Sequence, residues 1–285
     1  MKETLDMDIS IFYARNMWHK LMNELIYIFI QNTKGIAGYS LKLSTHRGNH
    51  IKLKLQTNKA QANVLAEKAD SYIRDFLKNN PSLSTASRFP ENGIFLDFEN
   101  NSVHYGAPEE PIMDSLEIDD KNLEQQLSSL LMQVFQVYKE DMVENLTEIM
   151  MECFIILCRA AKMKGPEAYA LFDHLLKSEY RKYTQESLER IEKANGANYK
   201  NNKEAILDFV NSYDNVTFPI KDKAWQNKWY STVQLYCRSF TKKRELEETP
   251  IQYITMIHYL CNAFNFKDKV SVFYLLSRAF KETVT

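Results

Sequence analysis

The chain has 285 residues, with 36 Lys plus Arg against 37 Asp plus Glu and a formal net charge of −1. Hydrophobic residues supply 45% and aromatics 12%, enough for a buried core and too much for a disordered chain. The balanced charge gives no global pull toward nucleic acid or anionic lipid. The 7 glycines form neither G-x-G-x-x-G nor G-x-x-x-x-G-K-[ST], which excludes the usual phosphate-cradling loops.

Residues 1–10 carry Glu3, Asp6 and Asp8 and lack the apolar centre of a secretory signal. Residues 24–31 are a short apolar run with β-branched and aromatic side chains, read as a buried strand. The apolar run from Leu25 to Ile30 falls far short of the ~20 residues that a membrane helix needs. These features predict a soluble, cytoplasmic protein. Residues 37–44 and 50–56 alternate, with Leu41, Leu43, Ile51, Leu53 and Leu55 on one side and Lys42, Lys52 and Lys54 on the other. The Gly48-Asn49 pair between them predicts a hairpin turn.

Asn58 is placed to cap a helix reaching about residue 77, followed by a polar loop over 79–88. A strand over 94–98, a turn at 99–101 and a return strand over 102–105 come next, then a Pro-containing loop over 106–111. From residue 119 onward helical periodicity dominates, with helices expected over 120–139, 141–163, 166–183, 185–194, 201–212, 222–243, 250–265 and 267–282. The fold class expected is α+β: a small antiparallel sheet with a covering helix over 1–118 and a helical half over 119–285, as one domain spanning 1–285.

The four cysteines, Cys153, Cys158, Cys237 and Cys261, lack paired spacing and read as reduced, buried thiols. No H-E-x-x-H, C-x-x-C or G-x-S-x-G occurs, so neither a metal site nor a serine-hydrolase elbow is expected. Strand alternation places Lys42, Lys52 and Lys54 on one face. A solvated sheet surface and a docking surface for an anionic peptide segment both fit it. His258 shares a helix face with Ile251, Ile254, Cys261 and Asn262. A core histidine satisfied by a hydrogen bond and a semi-buried polar site both fit that position. His104 and Tyr105 end a strand beside a loop, where acid–base groups are often displayed.

Three stretches resemble landmarks of the thiopeptide-type bacteriocin biosynthesis domain, which is also the C-terminal domain of lantibiotic dehydratases. Tyr39 to Leu55, ending in His50-Ile51-Lys52-Leu53-Lys54-Leu55, is similar to that family's basic, alternating strand. His104-Tyr105-Gly106-Ala107-Pro108 is similar to its Arg-Tyr-Gly-Gly-Pro segment, and His258 with Asn262 to its His and Asn-Arg helix. In dehydratases the resemblance implies elimination of glutamate from glutamylated Ser and Thr through arginines and the helix histidine. Here the basic strand positions are Lys52 and Lys54, His104 replaces the family's arginine before Tyr-Gly, and Ala263 replaces the arginine after Asn262; lysine lacks the bidentate fork that suits a carboxylate.

Stand-alone relatives close the pyridine of thiopeptides, joining two dehydroalanines by a formal aza-[4+2] cycloaddition with loss of water and leader peptide. The resemblance therefore implies a cofactor-free pyridine synthase acting on a leader-bearing precursor peptide, with other biosynthetic enzymes as further partners. His258, Tyr105, His104 and Tyr39 are the expected catalytic residues. Lys42, Lys52, Lys54, His50 and Asn262 are the expected substrate-binding ones. A stand-alone glutamate eliminase and a non-catalytic peptide-binding protein are the alternatives.

Overall fold

Leu5, Met7, Ile9 and Ile11 alternate with Asp6, Asp8 and Ser10, and this pattern forms the strand β1 (Thr4–Phe12). The computed structural model describes residues 4–84, 96–106, 121–214, 216–241 and 249–283, the side chains at 239–241, 249 and 250 excepted. β1 lies inside an antiparallel sheet of order β2-β3-β1-β4, with β2 (Ile36–Ser44), β3 (His50–Asn58) and β4 (Ser102–Tyr105). The hairpin expected between residues 37 and 56 is present, and Arg47 (φ 56) and Gly48 (φ 114) turn it through the left-handed region.

Contacts cluster the chain into two units, Met1–Asn145 with Asn262–Asn265, and Leu146–Cys261 with Phe266–Thr285. In the first, a short helix α1 (Trp18–Lys20) runs into a π-helical segment, Leu21–Ile26, and on into α2 (Tyr27–Asn32). The strand expected over 24–31 is therefore a helix. Leu21, Met22, Leu25, Ile26 and Phe29 are all buried, and their spacing of one, three, one and three residues follows a helix face rather than a strand. A six-residue apolar run looks the same in either state, and here the flanking residues decide it.

α3 (Ala62–Asn79) presents Leu65, Ala69, Ile73 and Leu77 as one buried stripe. Each such leucine or isoleucine contributes roughly 1.5–3 kcal/mol on full burial. Asn58 Oδ1 accepts from the backbone N of Ala60 at 2.8 Å, so the expected cap starts a short 3-10 turn that leads into α3. α4 (Lys121–Tyr138) flanks β2, where Ser128 Oγ accepts from the backbone N of Leu41 at 2.8 Å. Residues 94 and 95 and most of the 106–111 loop lie outside the described residues. Residues 96–98 form no strand, although Phe98 N donates to Arg47 O at 2.8 Å.

The second unit is helical: α5 (Leu146–Ala160), α6 (Gly165–Tyr180), α7 (Gln185–Asn211), α8 (Ala224–Thr241), α9 (Thr249–Ala263, whose last two residues cluster with the first unit) and α10 (Lys269–Glu282). α5 is buried over almost its whole length and packs on α8 and α10. Phe154, Phe172, Phe273 and Phe280 fill the space where α5, α6 and α10 meet, with ring centroids 5.7–6.1 Å apart. The two helices expected over 185–194 and 201–212 are present within α7, where the non-helical backbone of Asn202 (φ −118, ψ 15) makes a kink between them, and the first continues further than expected. Asn202 Nδ2 donates to Asn198 O at 3.1 Å and Oδ1 at 2.7 Å beside the kink. The α+β class and the helical C-terminal half stand as expected.

Candidate functional site

The strand register sorts the candidate residues of the first unit onto opposite faces of the sheet. Lys42 pairs with Lys52, Lys52 with Ser10, and Ser10 with His104. These four therefore form one row across all four strands, each step about 4.8 Å. The adjoining rows on this face are Ser40, Lys54 and Asp8, then Ser44, His50, Phe12 and Ser102. Tyr39 and Tyr105 project from the other face, in register with Leu55 and Ile9.

Two carboxylates temper the lysine patch. Lys54 lies opposite Asp8 and 3.9 Å from Glu124 of α4, while Lys42 and Lys52 are direct cross-strand partners on β2 and β3. β1 supplies Asp8 and Ser10 to this face, and the sequence reading passed over both. The strict alternation of residues 5–11 is the sequence signal that points to them.

His50 is fully buried; its Nδ1 donates to the carbonyl of Gly48 at 2.9 Å, and its ring lies 4.5 Å from Phe12. The histidine braces the hairpin turn from beneath. His104 is half-buried. Its ring sits 4.2 Å from Phe98 and 5.4 Å from Phe12, with Nε2 3.2 Å from Ser102 Oγ. Burial holds its pKa below the ordinary imidazole value, the nearby Arg74 and Arg47 push the same way, and Glu99 opposes them. The imidazole is therefore neutral at pH 7 and able to accept a proton.

A cavity of about 420 Å³ opens beside His104, lined by Arg47, Arg74, Asp97, Phe98 and Ser102 among others. The Arg47 guanidinium stacks 4.4 Å over the Phe98 ring and donates to Leu96 O. Burial raises the Asp97 carboxyl, against the pull of Arg47 and His46.

On the opposite face, Tyr105 Oη donates to Asp70 of α3 at 2.7 Å. Burial and that carboxylate push the phenol well above its ordinary pKa, so it is a poor proton donor while the bond lasts. Burial also raises Tyr39, with Tyr27 adding to the effect. The sheet thus brings His104 together with the lysines and separates both tyrosines from them.

In the second unit, His258 is half-buried on α9. Burial lowers its pKa, Lys269 and Lys182 add to the effect, and Glu179 counters it. Asn262 follows one turn later on the same helix and is half-buried, its carbonyl accepting from Asn265 N at 3.1 Å. Burial pushes the Cys158 and Cys261 thiols up to about 12, so neither supplies a thiolate nucleophile at neutral pH. Among the described residues no group of three His, Cys, Asp or Glu converges as a metal site, and no helix is long and apolar enough to cross a membrane.

No protein-family model matches the chain, and no curated protein matches it in sequence. Solved structures do match its fold. The pyridine synthase TbtD from thiomuracin biosynthesis aligns with a TM-score of 0.70 at 13% identity, covering 97% of this chain and 98% of that one. TsrL aligns with a TM-score of 0.66 at 10% identity, covering 99% and 96%. The tRNA-dependent lantibiotic dehydratase MibB from Microbispora sp. 107891 aligns with a TM-score of 0.60 at 9% identity. That match covers 98% of this chain but only 28% of MibB. The chain therefore shares the fold of these proteins, as the motif resemblance led us to expect.

Proposed function

We propose that this protein modifies a ribosomally made peptide and that it acts as a thiopeptide-type pyridine synthase. The observation that carries the reading is the match with TbtD over nearly the full length of both chains. On this reading residues 1–285 work as one catalytic domain. The substrate is a leader-bearing peptide holding two dehydroalanines, and other enzymes of the same biosynthesis deliver it.

The chemistry asks for few reagents. The amide attached to one dehydroalanine tautomerises to a 2-azadiene, whose two carbon termini add across the alkene of the second dehydroalanine, forming two C–C bonds while the nitrogen keeps the C–N bonds it already has. Loss of water and then of the leader, expelled as an amide, makes the ring aromatic. Each step moves protons and none moves electrons to an outside acceptor, so the peptide itself brings all the reactive bonds. The protein's share is to hold two alkenes in reach of each other, which is worth ~7–11 kcal/mol when the geometry is right, and to pass protons.

Two neutral imidazoles, His104 and His258, are the groups we assign to proton transfer. Tyr105 and Tyr39 are secondary candidates, the first only once its hydroxyl leaves Asp70. Lys42, Lys52 and Lys54 are assigned to the acidic part of the leader. Asn262 and His50 are assigned to substrate binding, His50 indirectly through the turn it braces.

A second reading, glutamate elimination, gains from one feature. Arg47 and Arg74 both line the cavity beside His104, and guanidinium groups suit a departing carboxylate. Mass spectrometry separates the two. Purified protein is incubated with a leader-bearing peptide carrying preformed dehydroalanines, and separately with a glutamylated peptide. Release of the leader with a cyclised core supports the synthase; loss of glutamate from the second peptide, with the first untouched, overturns it.

A further inference from the structure

Ser102 and His104 stand two residues apart on β4, so strand alternation sets both side chains on the polar face of the sheet. Ser102 Oγ lies 3.2 Å from His104 Nε2 and 2.5 Å from the carbonyl oxygen of Glu99. A serine beside an imidazole suggests a nucleophile and its base. The hydrogens do not allow it. The hydroxyl carries a single hydrogen, and a carbonyl oxygen can only accept. The 2.5 Å approach to Glu99 is therefore an O–H donation by Ser102. Oγ then has only lone pairs to offer the ring, so Nε2 must carry a proton and donate it to Oγ.

The carbonyl that takes the hydroxyl hydrogen is itself held in place. Residues 99–101 turn the chain into β4, with Asn101 in the left-handed region at φ 60. Phe98 N donates to Arg47 O and Asn101 N to Phe12 O, both at 2.8 Å, on either side of Glu99. Asn100 Nδ2 and Asn101 Nδ2 donate to Ser82 O at 2.8 and 3.0 Å, and Asn101 Oδ1 accepts from Ser82 N at 2.8 Å. The Phe98 and Phe12 rings, at 4.2 and 5.4 Å, bracket the imidazole. Burial keeps that ring neutral near pH 7, so one of its two nitrogens is bare.

We propose that Ser102 is the positioning residue of His104: with its own hydrogen donated to Glu99, it accepts from Nε2–H and fixes the tautomer that leaves the Nδ1 lone pair to take up a proton. This deepens the role assigned to His104 above and rests on that reading for its catalytic meaning, but not for its test. A proton lifted from the peptide goes to Nδ1, while Nε2 and Ser102 keep theirs. The imidazolium so formed has its second N–H already bound to oxygen, and the ring need not turn between the two states.

Proton–nitrogen correlation NMR of the histidine rings in the full chain, above the His104 titration midpoint, reads the tautomer directly. His104→Gln assigns the signal. In wild type, Nε2 shows the protonated type of shift and Nδ1 the bare type. Ser102→Ala lowers the ratio of Nε2–H to Nδ1–H forms about fivefold, the worth of one neutral hydrogen bond, and Ser102→Thr, which keeps the hydroxyl, restores it. Should Ser102→Ala not fold, Ser102→Cys, which keeps the size and offers only a weak sulfur acceptor, is read in its place. A wild-type ring protonated at Nδ1, or a ratio unmoved in the folded Ala or Cys variant, overturns the inference. Where the synthase reaction is measurable, kcat falls about fivefold in Ser102→Ala at unchanged KM and recovers in Ser102→Thr. A shifted tautomer with unchanged kcat overturns the catalytic meaning alone. The spectrum needs no substrate, so a failure of the proposed reaction shows up separately, as absent turnover in wild type.

Discussion

Burial pulls both His104 and His258 below the ordinary imidazole pKa, and for each the adjacent cations outnumber the anions that oppose them. A base that must be neutral to act is then ready throughout the neutral range. Activity should be flat near pH 7 and decline only as acidification passes through the lowered pKa, on the acid side of about 6.5. A rate profile whose acid limb lies above 6.5 removes both histidines from the rate-determining proton transfer. The same shifts link pH to stability. In the window between each lowered folded pKa and the unfolded value near 6.5 the unfolded chain binds more protons, so stability is complete above that window and falls as pH drops through it. Truncating His258→Ala should cut turnover sharply and leave leader affinity near wild type, as read by single-turnover kinetics beside a binding titration.

The β2–β3 hairpin carries three lysines and the brace of His50, and its register depends on a turn with two left-handed residues. Gly48 sits at φ 114, where an L side chain is strained, and an added Cβ meets the Phe12 ring at 3.3 Å. Gly48→Ala should cost about 1–3 kcal/mol, read as a lowered denaturation midpoint. The loss should come with weakened peptide binding, because Lys42 and Lys52 keep their pairing only while the hairpin does. Binding unchanged in a destabilised variant separates the lysine row from the peptide.

At the scale of the helical unit, Glu152 is buried at 5% exposure on α5, accepting from Tyr213 Oη and from Gln226 Nε2 at 3.0 Å. The triad ties α5 to α8 and to the segment after α7. Tyr213→Phe takes one donor from a buried carboxylate and should lower unfolding stability by about 2 kcal/mol. A urea midpoint within error of wild type would show that the carboxylate finds another donor. Across the whole chain, 13% identity to TbtD accompanies a TM-score of 0.70. Folds tolerate such divergence because burial pattern and element order, more than particular side chains, specify the core.

The sequence by itself determined the α+β class, the alternating hairpin, the burial of three of the four thiols (Cys237 is only partly buried) and most helices, because those follow from periodicities of two and 3.6 that need no partner to be seen. It misjudged residues 24–31, where a short apolar run fits either period, and it ended the first part of α7 short of the kink at Asn202, whose polar surroundings hide the continuity. The tertiary structure alone decided the grouping of the site. Strand register, a long-range property, set His104 in line with Lys52 and Lys42 and put Tyr39 and Tyr105 on the far face. The −1 net charge illustrates both levels: composition yields the sum, and only folding decides which charges meet.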